Sequence, residues 1–129
     1  MSADNRFHGG ALSAVGLPDR VLKIPGLLQY LLVNFWDTVN EEFDVLIGEF
    51  DADIVANGQL DRLEQMALIL ADEADAGGLA VLLHKRHAPS GTLEDVERAA
   101  QKVPAFLRDE VVPFVRDIRR DGLDLVVSW

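Results

Sequence analysis

The sequence predicts an all-α fold, a single compact bundle of five to seven helices. Three observations lead there. Apolar residues recur at helical spacing through Leu27–Ile47, Leu60–Ala74 and Val111–Ile118; glycine, proline and asparagine fall between those stretches; and an apolar content of 49% against 26% charged residues in 129 residues suits one folded domain with its own core.

Residues 1–16 are expected to be a flexible leader, with residues 17–129 forming the helical domain. Within the leader, Ser13 lies in Gly-Gly-Ala-Leu-Ser-Ala-Val-Gly, whose glycine spacing matches neither a nucleophile elbow nor a phosphate loop. Gly16-Leu17-Pro18-Asp19 marks a break. From Leu27 the positions Leu28, Leu31, Leu32, Phe35, Val39, Phe43, Leu46 and Ile47 follow a helical stripe, as one long helix or two with a bend near Asp37-Thr38. Asn57-Gly58 reads as a turn before the helix striped by Leu60, Leu63, Ala67, Leu70 and Ala74. Gly77-Gly78 separates that helix from Leu79–Leu83, which ends in the cations His84, Lys85, Arg86 and His87, favourable at the negative end of a helix dipole. Thr92 and Asp95 resemble a capping box. Pro104 and Pro113 end, start or kink helices. Val111, Phe114, Val115 and Ile118 form the last stripe, and Leu123–Trp129 is expected to be a short extended tail. The predicted core is Leu28, Leu31, Leu32, Phe35, Phe43, Leu46, Leu63, Leu70, Leu82, Leu83, Phe114, Val115 and Ile118.

Charge is segregated along the chain. Between Asp37 and Asp75 stand twelve acidic residues and one cation, Arg62, in a chain of net charge −10. Such a balance repels phosphate backbones, so nucleic acid is not an expected partner. The absence of cysteine excludes disulfides, thiolate metal sites and a cysteine nucleophile. The N-terminal residues lack a signal-peptide pattern, and the apolar run Ile24–Trp36 is shorter than the roughly 20 residues of a membrane span, so no membrane association and a cytoplasmic location are expected. His84 and His87 are interleaved with Lys85 and Arg86, which oppose a bound cation. No spacing selects a pair of carboxylates for acid-base work. No enzymatic activity, cofactor or metal is therefore predicted. The candidate interaction residues are the acids Asp37, Glu41, Glu42, Asp44, Glu49, Asp51 and Asp53 and the cations Lys85, Arg86, Arg116, Arg119 and Arg120. The last three lie on one helical face, so self-association or a protein partner could join charge-complementary faces.

Two resemblances extend this reading. Asp51, Asp53, Asn57, Asp61 and Glu64, with Gly58 and Leu60, resemble an EF-hand loop with two inserted residues, which implies a calcium-responsive helical pair. Leu27–Phe35 followed by Glu41-Glu42-Phe43 and Val45-Leu46-Ile47, and Glu73–Leu83 running to His87-Ala88-Pro89, resemble the bacterial death-like, effector-associated domains. That similarity covers residues 27–89 and implies a six-helix adaptor of conflict or defence systems. A third class, an acidic immunity or inhibitor protein that binds a basic toxin or mimics nucleic acid, fits the composition as well.

Overall fold

The computed structural model, which describes residues 9–47, 52–77 and 93–128, is a mixed α/β fold in which helices pack on a four-stranded antiparallel sheet. It begins with a hairpin of β1 (Gly10–Ala14) and β2 (Leu17–Ile24). The turn between them places Gly16 at φ 83°, a conformation that side chains resist. Ser13 pairs with Val21 but Ala14 with Leu17, so Pro18, Asp19 and Arg20 bulge out of the ladder at the sheet edge, where Pro18 has no N–H to leave unpaired.

Pro25 then starts α1 (Gly26–Leu31), and Leu32 offsets it from α2 (Val33–Phe43). The bend anticipated near Asp37-Thr38 thus falls a turn and a half earlier. Beyond α2 come β3 (Ala52–Val55), a 3-10 turn at Asn57–Gln59 and the long α3 (Leu60–Gly77). Helix α4 (Leu93–Phe106) contains Pro104 and runs into a widened π turn at Leu107–Val111. The π turn accommodates Pro113 at the start of α5 (Val112–Arg120), because a proline ring would meet the carbonyl four residues back in a regular helix. Asp121-Gly122, with Gly122 at φ 74°, turns the chain into β4 (Leu125–Ser128).

The strand order is β2-β1-β4-β3, so the last strand lies inside the sheet. Its register sets Leu125 between Ala14 and Val55, and Val127 between Leu12 and Asp53. Leu12, Ala14, Ile24, Val55, Leu125 and Val127 form the inward face, each at most 2% exposed, and they join the helical core of Leu31, Trp36, Leu60, Leu63, Leu107 and Ile118. Trp36 donates Nε1–H to Oε1 of the buried Gln29 at 3.0 Å. Gln29 lies so close under β1 that a Cβ at Gly10 would sit 2.7 Å from its Nε2 and 2.9 Å from the Ser128 carbonyl, which is why this strand position is glycine. Asn57 clasps the entry to β4: its N–H donates to Asp124 Oδ1 at 2.8 Å, and its side-chain amide donates to the Leu123 and Arg119 carbonyls at 2.8 and 3.1 Å.

The sheet corrects the predicted all-α bundle, and with it the death-fold-like architecture and the description as a helical bundle. Residues 10–16, expected within the leader, form β1 and its turn, and the expected extended tail is the central strand β4. The strands of the hairpin were obscured because alternation spans only Leu12 and Ala14 in one and Leu22 and Ile24 in the other, too few positions to compete with the helical stripes. In the predicted core, Leu28, Leu31, Leu32, Phe35, Leu63, Val115 and Ile118 are buried. Phe43, Leu70 and Phe114 are only partly buried, and Leu46 is 81% exposed because the helix ends before it. Leu82 and Leu83 lie outside the described residues.

These placements reverse the order that the sequence suggests for two positions, Trp36, absent from the predicted core, and Leu46, included in it. Trp36→Ala is expected to lower unfolding free energy by about 3–5 kcal/mol and Leu46→Ala by less than about 0.5 kcal/mol. Urea denaturation followed by circular dichroism measures both.

Candidate functional site

The acidic block is carried by α2, the turn after it, β3 and α3. Helix α2 buries Val33, Phe35, Trp36 and Val39, which leaves Glu41 and Glu42 in solvent near its end, with Asp37 half-buried one turn before. Asp44 follows in the left-handed conformation, φ 55°, and ends the helix. The turn beyond is built from side-chain hydrogen bonds. Asn40 accepts the Ile47 N–H at 2.8 Å and donates to the Ile47 carbonyl at 2.6 Å, while Asp53 accepts the Leu46 N–H at 2.7 Å. Asp53 also accepts the Ile54 N–H at 2.7 Å. These two amides, Leu46 first, hold the Asp53 carboxyl below its ordinary pKa of 3.8. Val45 and Ile47 turn inward, and Leu46 between them is displayed to solvent.

Six arginines are paired inside the molecule, whereas Lys23 and Lys102 are exposed and form no ion pair among the described residues. Arg62 makes a two-pronged pair with Glu42 at 2.9 and 3.0 Å, Arg20 pairs with Asp121 at 2.6 Å, and Arg108 reaches Asp75 and Asp72 at 2.5 and 2.6 Å. Arg116 and Arg119, one helical turn apart as their spacing predicted, converge on Glu64 at 3.0 and 2.6 Å. Arg120 pairs with Asp117 at 2.8 Å. Glu64 is 5% exposed. The sequence places it in the EF-hand-like pattern and not among the interaction residues, although it falls on the same face of α3 as Leu60, Leu63 and Ala67 and so interrupts an apolar stripe with an acid. By contrast, Glu41, Asp44, Glu73, Glu97, Asp109 and Glu110 are exposed and form no ion pair among the described residues.

Of the predicted interaction residues, the structure thus gathers Glu41, Glu42 and Asp44 at the end of α2, with Asp53 across the turn from Leu46. It sets Arg116 and Arg119 against Glu64, and Arg120 beside Asp117. Glu49, Asp51, Lys85 and Arg86 lie outside the described residues. The residues of the EF-hand-like pattern are spread over different elements: Asp53 in β3, Asn57 in the clasp on β4, Asp61 at the start of α3 and the buried Glu64 against Arg116 and Arg119. Among the described residues, no group of three or more His, Asp or Glu is placed to hold a metal ion, and no helix is long and apolar enough to cross a membrane.

Beside the acids runs a groove of about 380 Å³ between α2 and α3. Asn34, Phe35 and Thr38 line it from α2, and Arg62, Met66, Ile69, Leu70 and Glu73 from α3. In comparisons with known proteins the chain matches no family model, and no curated protein or solved structure is significantly similar to it.

Two outcomes test this geometry. Replacing Arg116 and Arg119 together by Ala strands the buried Glu64 carboxylate and is expected to cost about 3–5 kcal/mol in chemical denaturation, more than either single substitution, because one guanidinium still partners the acid. Because the folded Asp53 carboxyl titrates below its unfolded value, the turn is held fully above pH 3.8 and loosens as pH falls through the lower folded value. Protection of the Leu46 amide, taken relative to its intrinsic exchange rate at each pH, is therefore expected to fall only below pH 3.8, and Asp53→Asn to remove that pH dependence.

Proposed function

We propose that this protein is a non-enzymatic interaction module that binds a cationic protein partner through the acidic surface of α2 and α3. The observation that supports this reading is the asymmetry of ion pairing. Arg20, Arg62, Arg108, Arg116, Arg119 and Arg120 are already paired with carboxylates, whereas among the described residues the exposed acids Glu41, Asp44, Glu73, Glu97, Asp109 and Glu110 stand without an ion pair against the lysines Lys23 and Lys102. The surplus negative potential is available to steer and orient a Lys- or Arg-rich surface.

The same asymmetry weighs against pairing between copies through the described arginines. A neighbouring copy's acid would have to replace Glu64 at Arg116 and Arg119, exchanging one carboxylate for another while leaving a buried acid without its cations. A foreign cation has no such bond to break. The reading keeps the protein in the class of acidic binding or inhibitor proteins, with a basic protein surface as its target.

Light scattering of the purified protein is expected to show a monomer at low salt as well as at high salt. Affinity capture from the source cells is expected to retain a basic protein that elutes as the Debye length falls from about 10 Å at 0.1 M salt to about 3 Å at 1 M. Glu41→Lys, Asp44→Lys and Glu73→Lys combined should abolish that capture. A partner that stays bound in 1 M salt and tolerates the triple substitution would overturn the reading.

A further inference from the structure

We infer that the groove between α2 and α3 seats a cationic amphipathic helix of the partner, an inference that rests on the acidic-surface reading and names the contact it uses. Helix α3 carries a core stripe and a second stripe flanking it. Leu60, Leu63, Ala67, Ala71 and Ala74 face the core and are buried. Met66, Ile69 and Leu70 form the second stripe, which lines the groove: Met66 belongs to the core at 7% exposed, Leu70 packs against it, and Ile69 is 49% exposed. Packing on its own core accounts for Met66 and Leu70 but not for Ile69.

The dimensions select the occupant. The groove-lining positions of α3 run from Arg62 to Glu73 at intervals of four, three, one and three residues, one face over about three helical turns or 16 Å. That length accepts a guest helix presenting apolar residues at i, i+3 or i+4, and i+7, the helix-in-groove mode of recognition. Phe35 supplies the aromatic part of the floor from α2.

Charge selects its sign. Glu73 stands at one end of the groove without an ion-pair partner, and at the other end Arg62 is held by Glu42, with the exposed Glu41 next to it in sequence. A basic residue flanking the guest's apolar stripe meets the unpaired Glu73 at one end, and at the other the Glu42 carboxylate offsets Arg62, so the guest's cations meet no uncompensated positive charge there.

A second copy cannot supply this guest from its described helices. The basic helix α5 has Val112, Val115 and Ile118 buried in its own core, and α4 likewise buries Val96, Ala99, Ala100 and Val103. Among the described helices none offers a free apolar stripe with basic flanks, and the guest is assigned to a segment of a different protein.

The test uses a fluorescent Leu/Lys amphipathic peptide of about four helical turns as probe, a Lys/Ala peptide of equal charge without large apolar residues, and a Leu/Glu peptide of opposite sign. Anisotropy titrations of the full chain are expected to show the Leu/Lys peptide binding at least about tenfold more tightly than the Lys/Ala peptide, a difference of about 1.4 kcal/mol, and no binding of the Leu/Glu peptide. Ile69→Asn, at a half-exposed position that leaves the fold and its melting temperature in place, should remove most of that advantage, and amide shifts on binding should centre on Phe35, Met66, Ile69 and Leu70. Equal binding of the two cationic peptides, insensitive to Ile69→Asn, would overturn the groove inference while leaving the acidic-surface reading intact. Binding of neither cationic peptide would overturn both. Equal binding of the Leu/Lys and Leu/Glu peptides would overturn the cationic character of the guest.

Discussion

The position of β4 between β1 and β3 is the constraint on which the rest of the fold depends. Four residues at the end of the chain complete two ladders at once, one to a strand near the start and one to a strand in the middle. Without β4, the hairpin of β1 and β2 is an isolated two-stranded unit, marginal by itself, and β3 has no neighbour at all. The helices that bury Leu12, Val55 and Trp36 pack on a surface that exists only when the two ends of the chain have met. Asn57 secures that meeting, because its three hydrogen bonds to Asp124, Leu123 and Arg119 fix where α5 ends and β4 begins. The contacts are long in sequence separation, so loop-closure entropy must be overcome before they contribute, and formation of the sheet is expected to be a late step in folding.

This arrangement explains which parts were legible in the sequence. Stripes at helical spacing located the faces of α1, α2, α3 and α5, since apolar residues three and four apart recur within each of them. The strands repeat theirs twice. Leu12 and Ala14 alternate within a glycine-rich stretch that also reads as a flexible leader, and Leu125 and Val127 alternate within a tail of seven residues. Pairing between them depends on partners more than a hundred residues apart, and no local pattern encodes that. Leu46 shows the same limit from the other side. Its spacing from Phe35, Val39 and Phe43 continues the stripe of α2, but Asp44 ends the helix, and beyond that point helical spacing no longer says which side faces the core.

For the candidate site, the sequence disclosed which residues share a face but not what they meet. Arg116 and Arg119 do lie together on α5, but the feature that decides their role is Glu64, on another element and buried. The distinction matters energetically. Exposed pairs such as Arg120 with Asp117 contribute about 0–1 kcal/mol each and can be exchanged for solvent or a partner. A pair in which the acid is shielded from water is different, because removing its cations takes away two charge-assisted hydrogen bonds as well as the side chains that cover it. Two arginines that looked available for an interface are thus bound to the fold itself, whereas the acids opposite them in the charge balance remain open.

Helix α3 is where these two kinds of requirement meet. Its inward stripe anchors the core, and one acid in that stripe, Glu64, binds α5 through two guanidinium groups. Its second stripe faces the groove beside α2, and at the head of that groove Arg62 ties α3 to α2 through Glu42. The two pairs act in different directions. Glu64 draws α3 toward α5 and the end of the sheet, and Arg62 fixes the spacing to α2, so the groove between α2 and α3 is bounded by elements already held in place. A binding surface built on such a frame requires little reordering when a guest arrives, and less of the contact energy is lost to immobilising the host. Neutralising Arg62 within the frame serves the same end: the one cation lining the groove is satisfied internally, and the potential met by an approaching helix is set by the acids that remain.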